Sequence, residues 1–207
     1  MRALRLPFLI IALLMAQITF AQPGVHPKQG LIDLLMEYLQ VRYPKQPLDG
    51  DVLYVSVQRQ RLFHVRKGNL LNEFPVATSS NGLGSKQDSY RTPTGLHRVA
   101  EKHGHEVPEF GIIKDRVFTG QLADPDFSGV DKDWITSRLL WLEGLEPGVN
   151  KGEGIDSYDR FIYIHGTANE KSVGSPSSRG CVRMRNADMI ALFEQVAVGA
   201  LVVILDN

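Results

Sequence analysis

Two side chains in this sequence have the types and the spacing for nucleophilic acyl transfer. They are His165, in His165-Gly166-Thr167, and Cys181, in Ser178-Arg179-Gly180-Cys181-Val182-Arg183-Met184. Cys181 is the only cysteine among 207 residues, so it forms no intramolecular disulfide. A thiol with a reference pKa of about 8.5 is mostly protonated at neutral pH, and an imidazole that takes its proton makes it a nucleophile. His165 ends the apolar run Phe161-Ile162-Tyr163-Ile164, which can hold its ring rigidly, and Gly166 leaves room beside it for a partner or substrate. Gly180 permits a tight turn, so that the N–H groups of Gly180 and Cys181 can face a developing oxyanion. Arg183 can grip a carboxylate with two parallel donors, as lysine cannot. Each residue also has a plainer reading: an inert buried thiol, a capping or core histidine, an ordinary turn glycine, a surface ion pair.

No other cluster competes. His103-Gly104-His105 alternates as metal ligands can, but no third ligand lies nearby, and a solvated loop is the expectation. Asp124-Pro125-Asp126 and Asp131-Lys132-Asp133 lack the calcium-loop pattern and its closing glutamate. His26, His64 and His97 have no chemical company. Neither a metal nor a cofactor is expected.

The elements that must position the pair read as mostly β with minor α. Gly30 to Tyr43 carries Leu31, Leu34, Leu35, Tyr38 and Leu39 at helical spacing, a face for docking, and Pro44 and Pro47 end the helix. Strands are expected from Val52 to Val57, over Arg61–Arg66 and from Leu70 to Ala77. With the turn Lys67-Gly68-Asn69, they form a meander. A polar loop follows from Thr78 to Arg91, and Thr92-Pro93-Thr94-Gly95 is a turn that launches Leu96-His97-Arg98-Val99. Ile135 to Leu142 is a further strand, and 143–160 is a long surface loop of the kind that covers clefts. Asn186 is the expected N-cap of a helix whose apolar face is Ile190, Phe193, Val196 and Ala197. Gly199 stops that helix, and Leu201–Leu205 is a closing core strand.

The first segment reads as an export signal: Arg2 and Arg5, an apolar run from Leu6 to Ala16, and a small residue, Ala21, for cleavage. That run is shorter than the roughly 20 residues of a membrane span, so no stable membrane anchor is expected. The organisation expected is a signal peptide at 1–21, a helix and connector at 22–50 and a catalytic domain at 51–207. Without Arg2 and Arg5 the mature chain has 21 basic residues against 23 acidic, a balance that makes no electrostatic case for nucleic acid.

The motifs His165-Gly166-Thr167, Gly174-Ser175-Pro176 and Ser178-x-Gly180-Cys181-Val182-Arg183-Met184 closely resemble the signature of L,D-transpeptidases with a YkuD-type catalytic domain. Phe74-Pro75-Val76-Ala77-Thr78-Ser79 and Thr92-Pro93-Thr94-Gly95 match that family's upstream pattern in the same order, and the resemblance runs from about Asp51 to Leu205. It implies a β-sandwich of mixed sheets with the cleft at one edge. It implies Cys181 as nucleophile and His165 as base, with Gly180, Gly166, Ser178, Arg183 and Arg179 as oxyanion or substrate contacts. The substrate implied is a peptidoglycan stem peptide, handled by an exported monomer in the periplasm or cell envelope. One departure stands out. Arg179 occupies the place where the family usually has histidine, which puts substrate preference in question and sets a cation near the thiol. An L,D-carboxypeptidase and a non-catalytic peptidoglycan-binding module are the alternatives. Sortases differ in having Thr before the cysteine, and papain-like amidases in placing cysteine before histidine.

Overall fold

The computed structural model describes residues 28–126 and 134–207; the signal at 1–21, His26 and Asp131-Lys132-Asp133 lie outside them. The chain runs α1 (Gln29–Arg42), β1 (Asp51–Ser56), β2 (Arg61–Arg66), β3 (Asn69–Pro75), β4 (Gly95–His103), β5 (Gly111–Lys114), β6 (Val117–Leu122), β7 (Ile135–Gly144), β8 (Tyr163–Thr167), a 3-10 turn (Glu170–Ser172), β9 (Val182–Met184), α2 (Asn186–Gln195) and β10 (Leu201–Leu205). The strands are hydrogen-bonded in the order β3-β2-β1-β10-β4-β7-β5-β6, with β8 on β7 and β9 on β8. Pairing is mixed: β1–β10 and β8–β9 are parallel, the others antiparallel.

Side-chain alternation makes this one sheet into a sandwich. Leu53 and Val55 of β1, Leu62 of β2, Val202 and Ile204 of β10 point one way and meet Leu140 and Leu142 of β7, Ile164 of β8, Val182 and Met184 of β9, and Met189, Leu192 and Phe193 of α2. The opposite residues, Val52, Tyr54, Phe63, Val65, Leu201 and Val203, face α1.

Helix α1 docks through Ile32, Leu35 and Leu39, each worth about 1.5–3 kcal/mol when fully buried. The side chain of Gln29 fixes its start: Nε2 donates to the Gly68 carbonyl at 2.7 Å and Oε1 accepts from the Leu70 N–H at 3.2 Å. The docking face is rotated from the one expected. Ile32 is at its centre, while Leu34 and Tyr38 are 67% and 41% exposed.

Three other expectations change. Residues 111–114 and 117–122 form a hairpin, and the loop expected at His103 is the end of β4, where His103 Nε2 lies 2.8 Å from Glu101 Oε2. The segment 143–160 is not all surface, because Asn150 and Ser157 are fully buried. Asn186 is the first residue of α2 and caps nothing with its side chain. Glu170 does the capping instead, accepting from the Asn186 N–H at 2.7 Å. Among the described residues no helix is long and apolar enough to cross a membrane.

Candidate active site

Strand register brings the predicted residues to one face. In the parallel pair β8–β9, Ile164 is opposite Val182, His165 opposite Arg183 and Gly166 opposite Met184. Ile164, Val182 and Met184 enter the core. Their neighbours, with Tyr163, His165, Cys181 and Arg183, therefore share the outer face, joined there by Leu139 and Trp141 of β7, which lie opposite His165 and Tyr163. His165 lies within β8 rather than at its end.

His165 is 1% exposed, and its Nδ1 is 2.8 Å from the Gly166 carbonyl. A carbonyl only accepts, so Nδ1 carries the proton and the lone pair of the neutral ring is at Nε2, the arrangement a general base needs. Gly166 provides packing rather than room. A Cβ there would lie 2.5 Å from the Thr136 carbonyl oxygen and 2.8 Å from Asn186 Oδ1. Asn186 ties the neighbourhood together, accepting from Thr136 Oγ1 at 2.6 Å and donating to the Thr167 carbonyl at 2.9 Å.

Cys181 is half-buried. Its thiol points to the Phe161 carbonyl, with Sγ–O at 3.4 Å, and its sulfur accepts from the Tyr163 N–H, also at 3.4 Å. The loop before it is held from three sides. Ser178 Oγ donates to the Cys181 carbonyl at 2.5 Å and accepts from the Gly180 N–H at 3.2 Å, so in this structure that N–H serves the loop and not an oxyanion. Thr92 Oγ1 donates to the Gly180 carbonyl at 2.9 Å and accepts from the Ser79 N–H at 3.0 Å. Ala77 exchanges both backbone hydrogen bonds with Arg183, each at 2.9 Å. The Phe74–Ser79 and Thr92–Gly95 motifs thus flank the cysteine turn. Gly180 has φ of +123°, where a side chain is strained. Arg183 is 6% exposed and donates to the Ser177 carbonyl.

A cleft of about 270 Å³ opens beside the thiol, lined by Asp88, Tyr90, Arg160, Phe161, Arg179 and Cys181 among others. Arg179 lies over the Tyr90 ring, its Cζ 4.6 Å from the centroid. Arg160, which the sequence reading missed, is the inner cation. Its Nη2 donates to the Arg91 carbonyl at 2.8 Å and Nη1 to the Gly84 carbonyl at 3.3 Å. Burial lowers its pKa, while the charges of Cys181 and Asp88 act to raise it. A charged residue just before an apolar strand was the only sequence signal for it.

On the far side, the tip of the β5–β6 hairpin presses Arg116 over Trp141, Cζ to centroid 4.8 Å, and Trp141 stacks on Tyr158 at 4.1 Å. Burial raises the Tyr163 pKa. A hydrogen bond from Arg116 lowers it, and the charge of Cys181 raises it.

The arrangement gathers a thiol, an imidazole and two guanidinium groups around one turn, and parts of the chain are similar to known proteins. The chain is 46% identical over 48 residues to the putative L,D-transpeptidase YqjB of Bacillus subtilis, covering 23% of this chain and 27% of that one. It is 26% identical over 194 residues to the probable L,D-transpeptidase YcfS of Escherichia coli, covering 90% of this chain. The matched stretches thus span only about half or less of those relatives, 53% for YcfS and 27% for YqjB. Among solved structures, L,D-transpeptidase 3 from Mycobacterium tuberculosis superposes with a TM-score of 0.48 at 14% identity, over 76% of this chain and 61% of that one. The model of the YkuD L,D-transpeptidase catalytic domain matches residues 50–204, most of the chain, and to that family the chain belongs.

Proposed function

We propose that this protein is an exported peptidoglycan L,D-transpeptidase working through a thioester on Cys181. The observation that carries the reading is the outer face shared by β8 and the β9 strand, on which His165 and Arg183 stand buried beside Cys181, which itself lines a cleft. His165 Nε2 takes the thiol proton. The thiolate attacks the carbonyl carbon of the L-centre–D-alanine amide in a stem peptide. The tetrahedral oxyanion collapses, His165 returns the proton to the leaving amine, and D-alanine departs. The Cys181 N–H serves the oxyanion, joined by that of Gly180 once it leaves Ser178 Oγ.

An amine of a second stem then attacks the thioester, gives its proton to His165 and releases the thiolate. With the side-chain amine of diaminopimelate as acceptor the product is a 3→3 cross-link; with water the enzyme is an L,D-carboxypeptidase. Arg183 stabilises the turn and serves the donor stem, and Arg179 tunes the exposed wall of the cleft without being essential. The protein works as a monomer in the cell envelope after cleavage behind Ala21.

Incubation with a carbapenem followed by mass spectrometry tests the reading. A single adduct that maps to Cys181 in the wild type and is absent in Cys181→Ser supports it. A chain that takes no adduct, or a serine variant with full turnover, contradicts it. Muropeptide analysis of cells with and without the protein then separates cross-linking from trimming.

A further inference from the structure

We propose that Arg160 is the positioning residue that keeps Cys181 poised as thiolate, a part the sequence offers to Arg179. The inference rests on Cys181 being the nucleophile. In the resting geometry the thiol donates to the Phe161 carbonyl, a contact that favours the protonated form; the Tyr163 N–H, which donates to the sulfur, favours the thiolate. These two contacts act on the sulfur in opposite senses, so a fixed positive charge in the cleft tilts the balance towards the thiolate.

Arg160 is built to supply one. The turn 156–162 is anchored by the buried Ser157, whose Oγ lies 3.0 Å from His97 Nε2 and whose N–H donates to the Asn150 carbonyl at 3.0 Å. From this turn Arg160 enters the cleft that Cys181 lines, and donates to the Arg91 carbonyl. That carbonyl oxygen also lies only 3.4 Å from where a Cβ on Gly180 would stand, which places the guanidinium contact beside the residue preceding the thiol. Attraction between Arg160 and a charged Cys181 is reciprocal: whatever it gives the guanidinium it gives the thiolate. The Nε of Arg160 is buried and has no hydrogen-bond partner among the described residues, a cost that a purely structural side chain at this position would avoid.

Arg179, by contrast, is exposed and stacked on Tyr90. The other charged and titratable groups near the thiol are His165, Arg183 and Tyr163 on its own face, Asp88 and Asp159 at the cleft, and Arg116 through Tyr163.

The test is the rate of Cys181 alkylation by iodoacetamide from pH 5 to 9, on the whole chain, in wild type, Arg160→Gln, Arg160→Lys and Arg179→Gln. The expected result is a midpoint about one pH unit higher in Arg160→Gln, and hence roughly tenfold slower alkylation well below it. Arg160→Lys stays close to wild type and Arg179→Gln moves less than Arg160→Gln. Where the glutamine variant fails to fold, Arg160→Met repeats the measurement with a side chain suited to half-burial. An unmoved midpoint in the uncharged variants, an equal shift in Arg160→Lys, or a larger one in Arg179→Gln overturns the proposal. A catalytically dead Cys181→Ser with an unmoved midpoint sinks this inference alone; an active Cys181→Ser sinks the nucleophile reading whatever the midpoint does.

Discussion

The two faces of the β7–β8–β9 ribbon use the same backbone for opposite purposes. Inward, Leu140, Leu142, Ile164, Val182 and Met184 are all fully buried and wholly apolar. Outward, one residue along in each strand, stand Leu139, Trp141, Tyr163, His165, Cys181 and Arg183. The inner face needs only volume and shape. The outer face needs particular atoms in particular places, and the irregular backbone is on its side: Phe161 and Ser137 have φ of 55° and 61°. The three-residue strand Val182–Met184 thus fastens the core with Val182 and Met184 and turns Arg183, with Cys181 just before it, to the outer face. Stability and activity should separate cleanly between the faces.

The strongest way to break that comparison is His165→Ala. Acylation should slow by about 10²–10⁴-fold, the usual worth of a positioned base, with little change in thermal midpoint. Stopped-flow acylation beside calorimetry checks both; a variant that melts early yet acylates normally would put His165 with the core. Ile164→Ala probes the other face. It should cost about 2–5 kcal/mol in a denaturant titration while the folded fraction keeps kcat within a few-fold.

A third test uses acid. His97 is fully buried, and burial draws its pKa down to about 4, with the Gly95 carbonyl opposing. Its unfolded value is about 6.5, so the unfolded chain binds the proton first. The neutral ring's contribution is whole above pH 6.5 and is lost as pH falls towards 4, roughly 3 kcal/mol in all. Because His97 anchors the turn that carries Arg160, urea midpoints measured from pH 7 to 4 should fall in wild type and less steeply in His97→Gln. Equal slopes would remove His97 as the cause. The smallest effect is expected on α1, where Leu34→Ser should shift stability by no more than about 0.5 kcal/mol, because that side chain is exposed. A loss of 2 kcal/mol would mean the docking face is the one the periodicity first indicated.

What was legible in the sequence was whatever depends on local pattern. Arg61–Arg66 and Leu201–Leu205 were read to the residue, because β-branched and aromatic runs there end in turn chemistry. The β5–β6 hairpin was not, since Val117–Leu122 is exposed throughout and shows no alternation between a wet and a dry side. In α1 the choice between Ile32 and Leu34 lies in the direction of the sheet, which periodicity alone does not hold. At the candidate site, Cys181 and His165 stood out because thiol and imidazole are rare and chemically marked. Arg160 was not, because its role depends on a turn anchored by Ser157 and on carbonyls of a loop about 70 residues earlier. Gly166 was noticed for the wrong reason: the Thr136 carbonyl that it accommodates is 30 residues away in sequence.

The parallel pairing of β1 with β10 has a consequence for how the chain is made. Val52 sits against Leu201 and Ser56 against Leu205, and β10 alone connects β1 to β4. A ribosome therefore releases the β1–β2–β3 meander and β4 with facing edges open, and no partial chain can zip them together. Closing a loop of about 150 residues is an entropic cost deferred until β10 is made, which makes for slow folding of high contact order. Until then the bare edges are targets for stray strands, so a nascent chain of this topology depends on being kept extended until β10 arrives. A chain cut before Leu201 should accumulate as aggregate rather than as a smaller folded domain.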